Sequence, residues 1–90
     1  MNKLKKFLKI VSNESRLKIL LLLLDGEKCG CEIIPKMNLS QPLVSYHLGI
    51  LKSSGFIKNK WIGRKNIYYV NKKKLEEFKK LFNETFTLKM

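Results

Sequence analysis

A chain of 90 residues has room for one domain with one core, and its 19 basic against 7 acidic residues leave a net charge of +12. That balance points to polyanions, nucleic acid first and an anionic membrane surface second. A membrane span is excluded: the longest apolar run, Ile19 to Leu24, is six residues, against the roughly 18 that crossing a bilayer requires. No cleavage site of signal-peptide form follows the basic first residues, so a cytoplasmic protein is expected. In that compartment two cysteines are expected to be thiols or metal ligands rather than a structural disulfide. Catalysis is not expected either. The chain has no Ser/His/Asp set and no phosphate-binding glycine loop, its acidic residues are scattered, and no cofactor is required.

Asn2 to Val11 reads as a short amphipathic helix with Leu4, Phe7, Leu8 and Val11 on one stripe, too short to stand alone. Ser12 and Asn13 are cap residues, and Glu14 suits the positive end of the helix that follows. From Glu14 to Leu24 that helix is apolar on nearly every face until Asp25 and Gly26 close it, which predicts a central position.

Lys28 to Asn38 contains Pro35, so a regular helix is expected to begin no earlier than about Glu32 or Ile33, leaving Cys29 and Cys31 at or before its entrance. A short connection then leads to Leu39 to Gly55. There Ser40 is a cap, Pro42 fits the first turn, a helix begins at Gln41 and Gly55 stops it. Helical spacing puts Leu43, Val44, His47, Leu48, Ile50 and Leu51 on a core side. It puts Gln41, Ser45, Gly49 and Lys52 on the other, with Tyr46 and Ser53 at its edge. Two helices joined by a turn form a helix-turn-helix, and the polar side of the second carries the groups that base edges and phosphates demand. His47, on the apolar side, is expected to be a buried, hydrogen-bonded structural residue.

Phe56 to Ile62 and Asn66 to Asn71 are β-like, and Gly63-Arg64 between them is a two-residue turn. The hairpin carries Lys58, Lys60, Arg64 and Lys65, either as lysine protection of an exposed strand edge or as contacts along a phosphate backbone. Lys72 to Leu88 is a last helix striped by Leu75, Phe78, Leu81, Phe82, Thr85 and Phe86. The fold expected is mainly α with a small β-hairpin, a single winged helix-turn-helix domain. Its terminal helices, about 2 to 11 and 72 to 88, form a dimer surface through Leu4, Phe7, Leu8, Val11, Leu75, Phe78 and Phe82.

Four segments, SNESRLKILLLLLDGE, KCGCE, LSQPLVSYHLGILKSSGFI and GRKNIYYV, together resemble the arsenic-repressor-like (ArsR/SmtB) transcriptional repressors over about Phe7 to Val70. Two details depart from the family pattern, Glu14 where a proline is usual and Asn66 where the wing commonly has an aromatic. The resemblance implies a homodimer on palindromic double-stranded DNA that excludes RNA polymerase until an inducer releases it. A two-fold dimer would set its recognition helices about 34 to 36 Å apart. Gln41 can pair with adenine, Ser45 can reach a base or a phosphate and Tyr46 can donate to a phosphate. Ser40, Lys52, Arg64 and Lys65 complete the expected DNA-binding set.

Cys29 and Cys31 are the one constellation with chemistry of its own. Residues two apart on a regular helix point about 160° away from each other, but at a helix entrance two thiolates can converge. The helix N-terminus and Lys28 favour the thiolate, and soft thiolates select Zn(II), Cd(II), Pb(II), Cu(I) or arsenite. In the family, cysteines at matching positions bind the inducer. The set here is smaller than the three thiolates arsenic favours or the four ligands of structural zinc. The family's second site, on the last helix, has no counterpart, because Lys72 to Met90 contains neither His nor Asp. Three readings stay open: a thiophilic metal or metalloid site, a thiol redox switch, and an inert pair in an inducer-independent regulator. The alternative from another class is a winged helix used for protein interaction.

Overall fold

The computed structural model describes residues 2–87. In chain order the elements are α1 (Asn2–Val11), α2 (Glu14–Leu24), β1 (Lys28–Cys29), α3 (Gly30–Met37), α4 (Gln41–Ser53), β2 (Ile57–Ile62), β3 (Lys65–Val70) and α5 (Lys72–Thr87). This is a winged helix-turn-helix, mainly α with a small antiparallel sheet. Leu88, the expected end of the last helix, lies outside the described residues.

Local chemistry sets most of these boundaries. Asn13 caps α2 by accepting from the Arg16 N–H at 3.1 Å, and Ser40 caps α4 by accepting from the Leu43 N–H at 3.4 Å. The exit of α4 is closed by two backbone bonds, Gly55 N–H to Lys52 O and Phe56 N–H to Leu51 O, each 3.0 Å. That pairing needs a left-handed residue, and Gly55 supplies it with φ +87°. Asn71 then locks the wing to the same corner. Its N–H reaches Phe56 O, its side chain donates to Gly55 O, and its Oδ1 accepts from Lys74 N–H in the first turn of α5.

The core is one cluster. Ile19, Ile33, Val44, Leu51 and Phe56 are fully enclosed, and Phe7, Leu20, Leu23, Met37, Leu48 and Ile57 surround them. Phe7, Phe56 and Phe78 meet edge to face with centroids 5.4 to 6.2 Å apart, so both terminal helices are pinned to the body by aromatic contacts.

Several expectations change. The proline in α3 does not delay its start: the helix begins at Gly30 with Pro35 as its sixth residue. The first turn is fixed by side chains, Cys29 Sγ accepting from Cys31 N–H and Glu32 Oε1 accepting from Cys29 N–H, so it does not depend on the donor that Pro35 lacks. The α2 helix is not buried all round, since Leu17, Leu21 and Leu24 are about half exposed along one stripe. Leu43, expected on the core side of α4, is 40% exposed. It stands in the first turn of α4, at the edge of the packed stripe formed by Val44, His47, Leu48 and Leu51.

The hairpin is also larger than expected, because β1 adds a third strand, giving the order β1-β3-β2. Of the apolar positions expected to meet a second copy, Leu4 and Phe7 are buried within the chain's own core. Leu8, Val11, Leu75 and Phe78 are half-buried, and Phe82 is exposed.

Candidate nucleic-acid interface

The exposed side of α4 carries Gln41, Ser45, Gly49 and Lys52, as helical spacing predicts, with Tyr46 59% exposed beside them. Ser40 is also exposed, although its hydroxyl is engaged as the helix cap. The opposite side is packed, and there His47 is 6% exposed. Its Nδ1 lies 3.4 Å from Arg16 Nη1. Burial, and then the Arg16 charge, hold the imidazole below its ordinary pKa, so at neutral pH the recognition helix rests on a neutral histidine. The expected structural role for His47 agrees with this placement.

The wing forms from β2 and β3 in full register, from Ile57 opposite Val70 to Ile62 opposite Lys65. Gly63, with φ +62°, makes the two-residue turn possible. Arg64 and Lys65 are exposed at the tip. Lys58 is exposed as well, but Lys60 is engaged, its Nζ 3.1 Å from Glu27 Oε1 and 5.5 Å from the Tyr69 ring centroid. Beside Arg64 stand two exposed apolar residues, Trp61 at 66% and Ile62 at 57%. The β-like run that predicts the strand contains both, but alternation alone gives them no role.

Cys29 and Cys31 are brought together at the entrance of α3 with their sulfurs adjacent, the convergence expected of the pair. Backbone geometry permits it. Cys29 is extended, with φ −66° and ψ 147°, Cys31 is in the first turn of α3, and their Cα atoms are 5.1 Å apart, within the range a disulfide spans. Cys29 is buried and Cys31 exposed. Among the described residues no group of three or more His, Cys, Asp or Glu side chains is placed to hold a metal ion.

The pair opens onto a cleft of about 300 Å³ between α3, α4 and the wing, whose walls include Gln41, Ser45, Trp61 and Arg64. The expected inducer position and three expected DNA-reading positions, counting Arg64, therefore share one surface depression. Tyr68 and Asn66 line it as well. Burial raises the phenol pKa, so the hydroxyl stays neutral and accepts from Asn66 Nδ2 at 3.0 Å. Asn66 Oδ1 in turn accepts from Asn59 Nδ2 at 2.7 Å. Nothing in the sequence joins Tyr68, Asn66 and Asn59, because only strand pairing aligns them.

Residues 13–59, which span α2 to the start of the wing, match the family model described as bacterial regulatory protein, arsR family. The chain belongs to the arsR family. As a member it is a DNA-binding transcriptional regulator with the helix-turn-helix at α3 and α4. This arsR-family chain is 39% identical over 77 residues to an uncharacterised HTH-type transcriptional regulator of Methanocaldococcus jannaschii, covering 84% of this chain and 86% of that protein. It is 37% identical over 68 residues to the arsenical resistance operon repressor of Staphylococcus xylosus, covering 76% of this chain and 65% of that repressor.

Among solved structures, reduced HlyU from Vibrio cholerae superposes with a TM-score of 0.73 at 29% identity, covering 89% of this chain and 84% of that one. A possible transcriptional regulator for arsenical resistance superposes with a TM-score of 0.80 over 88% and 82% of the two chains. At 23% identity, that likeness concerns the fold alone. Among the described residues of this arsR-family protein, no helix is long and apolar enough to cross a membrane.

Proposed function

We propose that this regulator is a homodimeric repressor that occupies a palindromic operator and is released when a thiophilic metal or metalloid binds the reduced Cys29/Cys31 pair. The observation that supports this reading is the shared cleft: Cys29 and Cys31 open onto the same depression as Gln41, Ser45 and Arg64. An ion seated on the two sulfurs changes the charge and shape of a surface that operator DNA must also meet.

In the bound state Gln41 reads an adenine edge, and Ser45 and Tyr46 reach base or phosphate. Ser40 and Lys52 border the same helix face, while Arg64 and Lys65 take the backbone beside the wing. Two copies related by a two-fold axis fit successive major grooves about 34 to 36 Å apart. Binding of arsenite to the opened pair is a condensation: two S–H groups replace two As–O bonds and two waters leave. Cd(II), Pb(II) and Zn(II) displace the two thiol protons instead.

The adjacent sulfurs favour a second reading, in which the pair is a thiol–disulfide switch that needs no metal.

The test begins with selection of bound sequences from random duplex DNA. Operator affinity of the reduced protein is then followed during titration with arsenite, Cd(II), Pb(II) and Zn(II), and compared with the metal-free oxidised protein. Release by one of these ions that disappears in Cys29→Ser and Cys31→Ser is the expected result. Release on oxidation alone selects the redox reading. Unchanged affinity in every condition refutes both.

A further inference from the structure

The cysteine turn is built into the wing. Its first residue belongs to β1, which pairs antiparallel with β3, Lys28 opposite Tyr68 and Cys29 opposite Ile67. The central strand of the sheet is therefore held on one side by the cysteine segment and on the other by β2. A side-chain contact reinforces the pairing: the Tyr68 ring lies over Gly30, between the two cysteines, its Cε2 3.6 Å from where a Cβ on that residue would stand. Asn59, which faces Tyr68 across β2 and β3, donates to Asn66, and Asn66 donates to the Tyr68 hydroxyl, a network that reaches one step from Tyr68 toward the tip. Beyond it lie Trp61, paired with Asn66, and the tip at Arg64. Along the backbone, the pair is joined to the recognition helix through the eight residues of α3 and the left-handed Asn38 that ends it.

We propose that the state of the Cys29–Cys31 pair is transmitted to DNA through the wing, with Tyr68 as the positioning residue that joins the cysteine turn to Asn66, Asn59 and the wing tip. A physical connection of this kind is a chain of packed and hydrogen-bonded groups ending on an element whose placement DNA requires. A rearrangement at Cys29 and Cys31 shifts the β1 edge and the ring that rests on Gly30. The wing then presents Arg64 and Lys65 at an altered angle while α4 keeps its packing on Val44, His47, Leu48 and Leu51.

Only the consequence for operator affinity rests on the sensor reading above, so the coupling is first measured without DNA. The free protein is compared with its disulfide closed and after reduction by a water-soluble phosphine. The phosphine takes an oxygen from water as the S–S bond becomes two S–H groups. Amide hydrogen exchange is then read over residues 57–70 and 41–53. The expected result is a several-fold change in exchange of the wing with α4 unchanged, reduced to less than about twofold in Tyr68→Phe and in Asn66→Ala, the second variant lying outside the ring contact. A change confined to α4, no change in either segment, or a full wing response in both variants overturns the proposal.

With operator DNA present, the fold-change in affinity caused by reduction or by arsenite is expected to shrink in Arg64→Ala and persist in Gln41→Ala. The opposite pattern overturns the wing route. A wing that responds in free protein while operator affinity never changes refutes the sensor reading and leaves the coupling standing.

Discussion

Arg16 and His47 form the contact that joins the end of α1 to the recognition helix. Arg16 Nε donates to Ile10 O at 2.7 Å and Nη2 lies 3.4 Å from Lys9 O, while Nη1 stands 3.4 Å from His47 Nδ1. A guanidinium has only donors, so His47 Nδ1 must be the acceptor and the imidazole proton sits on Nε2. One side chain from α2 thus satisfies two carbonyls in the last turn of α1 and a ring on α4. Arg16→Ala leaves all three without that partner, and a loss of about 1 to 3 kcal/mol of stability is expected, read from denaturant unfolding.

The same pair sets a pH dependence. His47 is held below the ordinary imidazole pKa of about 6.5 by burial and then by Arg16. Between the folded value and about 6.5, the unfolded chain binds a proton that the folded chain does not. Stability therefore rises with pH through that window and is lost on acidification. His47 is the only histidine, so few other groups obscure the effect. The urea midpoint is expected to fall from about pH 7.5 to about pH 5.5 in the natural protein and to fall less in His47→Gln. Equal falls would mean the histidine is not the origin.

Base reading and backbone contact separate by variant. Gln41→Ala is expected to weaken the selected operator by about 1 to 3 kcal/mol and to spare random DNA, whereas Arg64→Ala weakens both and lowers the salt dependence. Equal losses on both DNAs for Gln41→Ala would remove it from base recognition.

The corner after α4 is expected to be sensitive to small changes. A Cβ at Gly55 would meet only the flexible Lys74 side chain at 3.5 Å, so Gly55→Ala has space, but φ +87° strains any L residue. The expected cost is about 1 to 2 kcal/mol. Phe56→Ala, which empties a fully enclosed site touching Phe7 and Phe78, should cost about 3 to 5 kcal/mol. Calorimetry or urea unfolding checks both, and a larger loss for Gly55→Ala than for Phe56→Ala would reverse this ordering.

Assembly is a second test of the regulator reading, beside the DNA-binding variants. Phe82 and Phe86 are exposed on α5 with their rings 4.7 Å apart, a surface suited to a second copy. Phe82→Glu is expected to shift the sedimenting species from dimer toward monomer at equal concentration without lowering monomer stability. Leu4→Ala, at a buried position, should act on stability instead. A chain that sediments as a monomer before mutation contradicts the dimer.

The sequence by itself determined what is local. Asn13, Ser40 with Pro42, and Gly55 mark the bounds of α2 and α4, because a cap or a left-handed stop acts within four residues of its own position. Helical spacing likewise placed Gln41, Ser45 and Lys52 outward and His47 inward. Tertiary structure decided whatever depends on partners distant in the chain. The β1 strand is two residues long, too short for any periodicity, and exists because β3 offers it an edge. The leucines of α2 read as central from composition, yet which of them are covered depends on where the other helices pack. The cysteines two apart could converge or diverge until the extended Cys29 and the first turn of α3 fixed their directions. The tie between that pair and the wing, through Tyr68, arises from strand register and from nothing in the local sequence.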